Sequence, residues 1–216
     1  MIFFAPSPVL AMTRTGTPGG RQRRLALTLA ALAMGLTLAL LSTSAFAAWD
    51  IQQLMDSLAQ NKSSRATFVE KKYLAVLDKP VESSGELLYT APDRLEKRTL
   101  KPKPEAMIVN GSELTIERGR QKRQLQLQAY PELAAFIESI RGTLAGDRKA
   151  LERSYRLSLE GAAERWTLQL QPLDEKMQAI VKHINISGSR EQVRSIEITQ
   201  ADGDRSVMNI EALAAP

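Results

Sequence analysis

The chain has 216 residues, in which 29 lysines and arginines face 24 aspartates and glutamates, for a net charge of +5. Four of the arginines lie in the first 47 residues, which contain no acid, so the rest of the chain is nearly neutral. A nucleic-acid-binding domain usually keeps a basic face in its folded part, so the composition argues against that class. The absence of cysteine and the presence of only one histidine, His183, exclude disulfides, thiol nucleophiles and His-rich zinc sites. We therefore expect neither a metal nor another cofactor.

The first 47 residues have the pattern of a secretory signal peptide. Three arginines between positions 21 and 24 precede an uncharged run over residues 25–41, and Ala45-Phe46-Ala47 supplies small residues before the expected cleavage site. The sequence therefore predicts export to the periplasm and a single mature domain over residues 48–216. An uncleaved membrane anchor is the alternative, because the apolar run is only slightly shorter than a spanning helix. Met12 is an alternative start.

A short amphipathic helix and a series of strands are predicted next. Asp50 can cap a helix whose apolar residues recur at helical spacing from Ile51 to Leu58. The apolar period then changes to two, which predicts strands over residues 65–74, 85–90, 95–100, 106–109 and 113–117, and one more that contains Leu125 and Leu127. Asn110-Gly111 is a strong hairpin signal between the fourth and fifth of these strands.

A longer helix and a second group of strands complete the prediction. Apolar residues at positions 133, 136, 137, 140 and 144 predict a helix after Pro131 with one strongly apolar face, and a short helix is expected over residues 147–152. About nine or ten short strands indicate a mainly β (α+β) fold, in which a curled antiparallel sheet approaches a barrel. The helices can cover its concave face, either over a filled core or over an apolar pocket.

Three motifs stand in order in the first half of the predicted sheet. They are Ser64-Arg65-Ala66-Thr67-Phe68-Val69-Glu70, Ser84-Gly85-Glu86-Leu87-Leu88 followed by Ala91-Pro92, and Met107-Ile108-Val109-Asn110-Gly111. They resemble three successive motifs of LolA, the periplasmic carrier of outer-membrane lipoproteins, and residues 166–172 resemble a segment of its second half. The resemblance implies an incomplete, unclosed β-barrel with a helical lid over a hydrophobic cavity.

The same resemblance implies a carrier function. Such a carrier binds the acyl chains of lipoproteins and shuttles them toward the outer membrane, as a monomer that meets a transient inner-membrane donor and an outer-membrane acceptor. Divergent LolA-like proteins are also associated with other lipid-like products, such as aryl polyene esters, so another acyl compound is the alternative cargo. A non-carrier structural module with a filled sheet is a third interpretation. An enzyme is not expected, because the sequence holds no nucleophile-elbow or phosphate-loop motif and His183 is predicted to lie exposed on a strand.

The sequence departs from the family pattern at Ala91, which together with Pro92 is the predicted hinge or rim of the lid. The family has an arginine directly before this proline that is thought to help the lid open and close. It commonly has Phe and Trp where Leu95 and Lys97 stand here. Because Ala91 offers no donor to the lid, we expect apolar contact from the helix over residues 133–144 to hold the lid.

Two sets of candidate binding residues follow from this interpretation. The predicted lining of the lipid-binding cavity is Phe68, Leu88, Leu95, Met107, Phe136, Ile140, Leu168 and Ile184. A basic run around Gly119 is either a docking patch for an anionic partner or a solvated turn, and it consists of Arg118, Arg120, Lys122 and Arg123.

Overall fold

The computed structural model describes residues 49–213, so the predicted signal peptide lies outside the described residues. In chain order the elements are α1 (Ile51–Leu58), β1 (Ser63–Tyr73), β2 (Val81–Thr90), β3 (Arg94–Lys101), β4 (Glu105–Asn110), β5 (Glu113–Arg118), β6 (Gln121–Gln126), a 3-10 turn (Leu127–Ala129), α2 (Pro131–Ala145), α3 (Arg148–Ser154), β7 (Tyr155–Ala162), β8 (Arg165–Pro172), α4 (Glu175–Gln178), β9 (Val181–Ser189), β10 (Gln192–Gln200) and β11 (Arg205–Ala212). The eleven strands exceed the predicted nine or ten. Helix α4, which the side chain of Asp174 caps, has no counterpart among the predicted helices.

All eleven strands form one antiparallel sheet in the order β6-β5-β4-β3-β2-β1-β11-β10-β9-β8-β7. β1 joins the two halves, because Phe68 lies opposite Gly85 of β2 on one side and opposite Ile210 of β11 on the other. β6 and β7 are the two edges, and within the described residues they do not pair with each other. The predicted incomplete, unclosed barrel is confirmed.

The helices at the concave side begin and end at residues suited to those positions. Asp50 and Gln53 form a reciprocal capping box at the start of α1. Helix α2, which we call the lid helix, has Pro131 in its first turn, where a missing N–H costs no hydrogen bond. It ends at Gly146, which has a left-handed φ of 67°. A Cβ at this glycine would lie 2.2 Å from the carbonyl oxygen of Met55, so glycine lets the end of the lid helix pack closely on α1.

Two apolar clusters lie on the concave face. The larger cluster packs α1 and α3 on β7–β9, and its members Trp166, Leu168 and Ile184 are completely buried. The smaller cluster, centred on Leu114, packs strands β4 and β5 against the first turns of the lid helix. Phe136 of the lid helix contacts both clusters. The lid helix therefore bridges the two halves of the open sheet.

Candidate functional site

A cavity of about 1090 Å³ lies between the concave face of the sheet and helices α1 and α2. It reaches the upper end of the ~300–1,000 Å³ range of small-molecule pockets. Its apolar wall consists of Leu58, Leu87, Leu88, Leu95, Met107, Val109, Leu114, Phe136, Ile137, Ile140, Leu144, Ile186, Val193, Ile196, Ile198, Met208 and Ile210. The sequence left a filled core and a pocket as alternatives, and the concave face holds a pocket.

The residues that line the cavity lie along most of β1. They run from Ser63 to Lys72, with an interruption over residues 67–69, and this stretch of strand is roughly 31 Å long at ~3.4 Å per residue. Acyl chains span about 15 Å in each leaflet of a ~30 Å hydrocarbon core. The lining therefore extends over a strand length greater than one such acyl chain.

The structure brings five of the eight predicted lining residues together on the cavity wall. They are Leu88, Leu95, Met107, Phe136 and Ile140. The other three are buried and are not among the residues that line the cavity: Phe68, Leu168 and Ile184. Leu168 and Ile184 belong to the solid cluster under α1 and α3. Phe68 is covered instead, because the ammonium of Lys97 lies 4.9 Å from the centre of its ring.

The lid helix is tied to the rim of the sheet by a directional hydrogen bond. Nη1 of Arg141 donates to the carbonyl oxygen of Gly111 at 2.6 Å, in the turn between β4 and β5. Arg141 also pairs with Glu138 on the same helix, and only 17% of its side chain is exposed. The prediction that apolar contact holds the lid is therefore incomplete, because the polar face of the lid helix supplies an arginine of its own.

A second hydrogen bond ties the lid helix to the larger apolar cluster. The hydroxyl of Tyr155, the first residue of β7, donates to the carbonyl oxygen of Ala135 at 3.1 Å. Burial raises the pKa of Tyr155 to about 12. The hydroxyl therefore keeps its proton throughout the physiological range and remains a donor.

The predicted hinge residues lie near the lid but not on the cavity wall. Ala91 and Pro92 form the turn between β2 and β3, and neither lines the cavity. The amide of Ala91 donates to the carbonyl oxygen of Lys62 at 2.8 Å, which joins this turn to the start of β1. Asp93, the next residue, borders a small cleft with Gly111 and Arg141. The lid helix therefore contacts the rim of the sheet next to the predicted hinge. The arginine that makes this contact, Arg141, belongs to the lid helix.

One end of the cavity wall carries a group of polar residues, which we call the Glu70 cluster: Glu70, Lys72, Ser83, Lys97 and Ser206. The Glu70 carboxylate accepts from Nζ of Lys97 at 2.6 Å and from Oγ of Ser206 at 2.7 Å. It also accepts from Oγ of Ser83 at 3.3 Å, and Nζ of Lys72 lies 3.8 Å away. Every oxygen of this buried carboxylate therefore has a donor.

The surroundings of Glu70 keep its carboxylate charged. Burial alone would raise the pKa of Glu70, but the charge and hydrogen bond of Lys97, the hydrogen bond of Ser206 and the charge of Lys72 hold that pKa below its ordinary value of 4.5. The sequence places Lys97 at a departure from the family pattern, and no motif in it marks Glu70 as a site residue. Its spacing is the one signal in the sequence, because Glu70 follows Ala66 and Phe68 at intervals of two residues and is therefore an acid on the apolar face of β1.

The four residues of the basic run lie in the hairpin between β5 and β6. Arg118 pairs with Glu105 across β4 and β5, and Nζ of Lys122 lies 3.2 Å from a carboxylate oxygen of Glu117. Within residues 49–213, no salt bridge engages Arg120 or Arg123. Half of the basic run is therefore neutralised locally, and its docking role remains a prediction.

The described residues hold no cluster of metal-binding side chains. Among residues 49–213, no group of three or more histidine, cysteine, aspartate or glutamate side chains could hold a metal ion. His183 is half-buried on β9 and not exposed as predicted. The helices found between residues 49 and 213 are too short or too polar to span a membrane.

An open antiparallel barrel with a helical lid over an apolar cavity defines a carrier-type lipid-binding fold. The sequence model of the family described as outer membrane lipoprotein carrier protein LolA-like matches residues 43–215. This match covers most of the chain, and the protein belongs to the LolA-like family. The family description names a carrier and no enzymatic activity.

Several solved structures are similar to this chain at low sequence identity. A LolA superfamily protein of Nitrosomonas europaea is 12% identical, with a TM-score of 0.39, over 77% of this chain and 93% of that one. A chain in the Pseudomonas aeruginosa MucA/MucB complex is 16% identical, with a TM-score of 0.45, over 77% and 58%. A putative outer membrane lipoprotein-sorting protein domain of Vibrio parahaemolyticus is 11% identical, with a TM-score of 0.40, over 77% and 92%. No curated protein sequence matches the chain significantly.

Proposed function

We propose that this protein is a periplasmic carrier that binds acyl chains in the cavity and moves them toward the outer membrane. The observation that carries the proposal is the apolar cavity of about 1090 Å³ under the lid helix. Burying an acyl chain there removes apolar surface from water at roughly 25 cal/mol per Å². The gain requires no catalytic residue, and we propose that the protein is not an enzyme.

The way the lid helix is held supports reversible binding. Two hydrogen bonds, from Arg141 and Tyr155, hold the lid helix against the sheet. The neutral bond of Tyr155 contributes of the order of 1 kcal/mol net and the charged bond of Arg141 about 1.5–3 kcal/mol, and both are small enough to break during ligand entry. A donor protein at the inner membrane and an acceptor at the outer membrane would supply and collect the cargo from a monomeric carrier.

The cargo is either the acyl chains of a lipoprotein or another acyl product, such as an aryl polyene ester. Native mass spectrometry of the exported protein tests both, because copurified ligand identifies itself by mass. The same spectrum tests the signal peptide, since we expect the mature chain to begin at Ala48. A chain that keeps its first 47 residues on the membrane would contradict the proposal of a periplasmic carrier.

A binding assay with the mature protein complements the native spectrum. The neutral fluorescent probe N-phenylnaphthylamine should bind in the cavity, and its emission should fall when an unlabelled acyl compound replaces it. Substituting a bulky side chain on the wall, Leu95→Trp, should weaken binding of the probe. The matched control is Leu100→Trp, because Leu100 is exposed near the end of β3 and does not line the cavity. Equal binding by the two variants would contradict the cavity as the binding site and favour a structural module.

A further inference from the structure

The Glu70 cluster lies on the wall of an otherwise apolar cavity, where charged groups are costly to bury. Glu70, Lys72 and Lys97 all line the cavity, together with Arg205 of β11. The guanidinium of Arg205, however, lies 4.6 Å from the centre of the Tyr73 ring, on the face of β1 opposite Glu70, and 3.8 Å from Glu197. The side chain of Lys72 is 51% exposed, so this end of the cavity is in contact with water. An acyl chain in the cavity would thus have one end near these charges.

In the Glu70 cluster the ammonium of Lys97 keeps donors for a ligand, whereas the carboxylate oxygens of Glu70 are already occupied as acceptors. The carboxylate oxygens of Glu70 are already engaged by two hydroxyls and the ammonium of Lys97. Within the described part of the chain, that ammonium makes only this one hydrogen bond, although it carries three donors. Because 26% of the Lys97 side chain is exposed, its other donors can reach a ligand.

The charges of this end also add up to an excess of cations. Two basic groups, Lys72 and Lys97, stand against the carboxylate of Glu70. The separation of 3.8 Å leaves Lys72 weakly paired with Glu70. A group that brings a negative charge would be bound by both ammonium groups at once, whereas a neutral alcohol or ester could only accept hydrogen bonds.

We propose that this end of the cavity binds the anionic head group of an acyl ligand, a carboxylate or a phosphate, while the acyl chain lies toward the lid helix. This inference rests on the proposed carrier function and specifies the class of its ligand. Glu70 positions the ammonium of Lys97 by holding it from one side. The chain then contacts Leu95 and Met107, which continue the same face of the sheet from Lys97 toward the lid helix.

The test compares three ligands with the same chain and different heads. Dodecanoate, dodecyl phosphate and dodecanol each compete with N-phenylnaphthylamine for the mature protein at pH 7. We expect at least one of the two anions to displace the probe at concentrations roughly tenfold lower than dodecanol does, the range of a charge-assisted hydrogen bond. The anion that competes better identifies a carboxylate or a phosphate as the natural head group.

Variants then assign the preference to the cluster. Lys97→Met should reduce the advantage of the anions at least fivefold and leave dodecanol unchanged, whereas Lys176→Met, on the exposed helix α4, should change neither. Lys97→Met leaves Glu70 buried without its main partner, so Glu70→Gln/Lys97→Met is tested beside it. Lys72→Met removes the exposed cation of the cluster, which keeps the test valid if the buried variants fail to fold.

The outcomes separate this inference from the carrier function. If all three dodecyl compounds compete equally, the anionic head group is refuted and the carrier function stands. An anion preference that persists in the folded Glu70→Gln/Lys97→Met and Lys72→Met variants also refutes the assignment to this end. If neither the probe nor any dodecyl compound binds, the carrier function fails and this inference fails with it.

Discussion

Replacing Arg141 with alanine should speed the release of an acyl ligand. Arg141 donates from Nη1 to the carbonyl oxygen of Gly111 at 2.6 Å, so it joins the lid helix to the rim of the sheet. Its other contact, with Glu138, stays within the lid helix and does not resist opening. Arg141 is not among the residues that line the cavity, so its loss should leave the apolar wall intact.

The size of the effect follows from the type of bond and its burial. A hydrogen bond that involves a charged group contributes about 1.5–3 kcal/mol, and the side chain of Arg141 retains 17% exposure, which favours the lower end. Since 1.4 kcal/mol is a factor of ten in an equilibrium, the open lid should become about tenfold more populated. If opening precedes release, the release rate should rise by the same factor.

Stopped-flow dilution of protein loaded with N-phenylnaphthylamine measures this rate directly. The matched control is Arg148→Ala, because Arg148 also pairs with a glutamate on its own helix, Glu152, at 2.7 Å but makes no bond to the rim. The control should release the probe at the rate of the unmodified protein. Equal rates for both variants, measured at equal folded fraction, would show that ligand release does not require the lid helix to leave Gly111.

Three further results are expected. Leu168→Ser should lower the free energy of unfolding in urea by several kcal/mol and leave probe binding per folded molecule unchanged. Ile140→Ser should lower the free energy of unfolding less and weaken probe binding. The reverse order would contradict the boundary between core and cavity. If the basic run docks on anionic membranes, Arg120→Gln/Arg123→Gln should slow association with anionic vesicles at low salt and not at high salt, and an unchanged low-salt rate would favour a solvated turn. Because the pKa of Glu70 is lowered in the fold, the charged carboxylate stabilises the protein above pH 4.5, and this stabilisation is lost as the pH falls through the folded pKa. Glu70→Gln should therefore flatten the dependence of the urea midpoint on acid pH. An unaltered dependence would contradict the assignment of a lowered pKa to Glu70.

The elements of the fold could be predicted because their signals are local. Asp50 precedes a helical period and Asn110-Gly111 separates two strands, and both features stand where the sequence placed them. The meeting of β1 with β11 could not be predicted from such signals. Ser206 reaches the carboxylate of Glu70 across 136 positions of sequence, and no pattern within either strand specifies that distance.

The site was predictable only in part, for reasons that differ among residues. Leu95 and Leu168 are both leucines on strands, and the alternation that places them on the concave face is the same whether the space beyond is filled or empty. Only the packing of α1 and α3 over one half of the sheet separates them. Arg141 could not be identified because its partner at Gly111 is a backbone carbonyl, which leaves no trace in the side-chain pattern.

Apolar and polar contacts have separate tasks in this cavity. The apolar wall provides affinity in proportion to buried area, and such contact has no direction, so it can neither orient a ligand nor fix a lid at one place. Direction comes from hydrogen bonds, and these lie in two separate places. Arg141 and Tyr155 make theirs between the lid helix and the sheet, and the cluster around Glu70 makes its own on the cavity wall. A change at the lid should therefore alter the rate of release without altering which head group binds, and a change at Lys97 should do the opposite. Measuring both properties in both variants tests whether gating and recognition are physically independent.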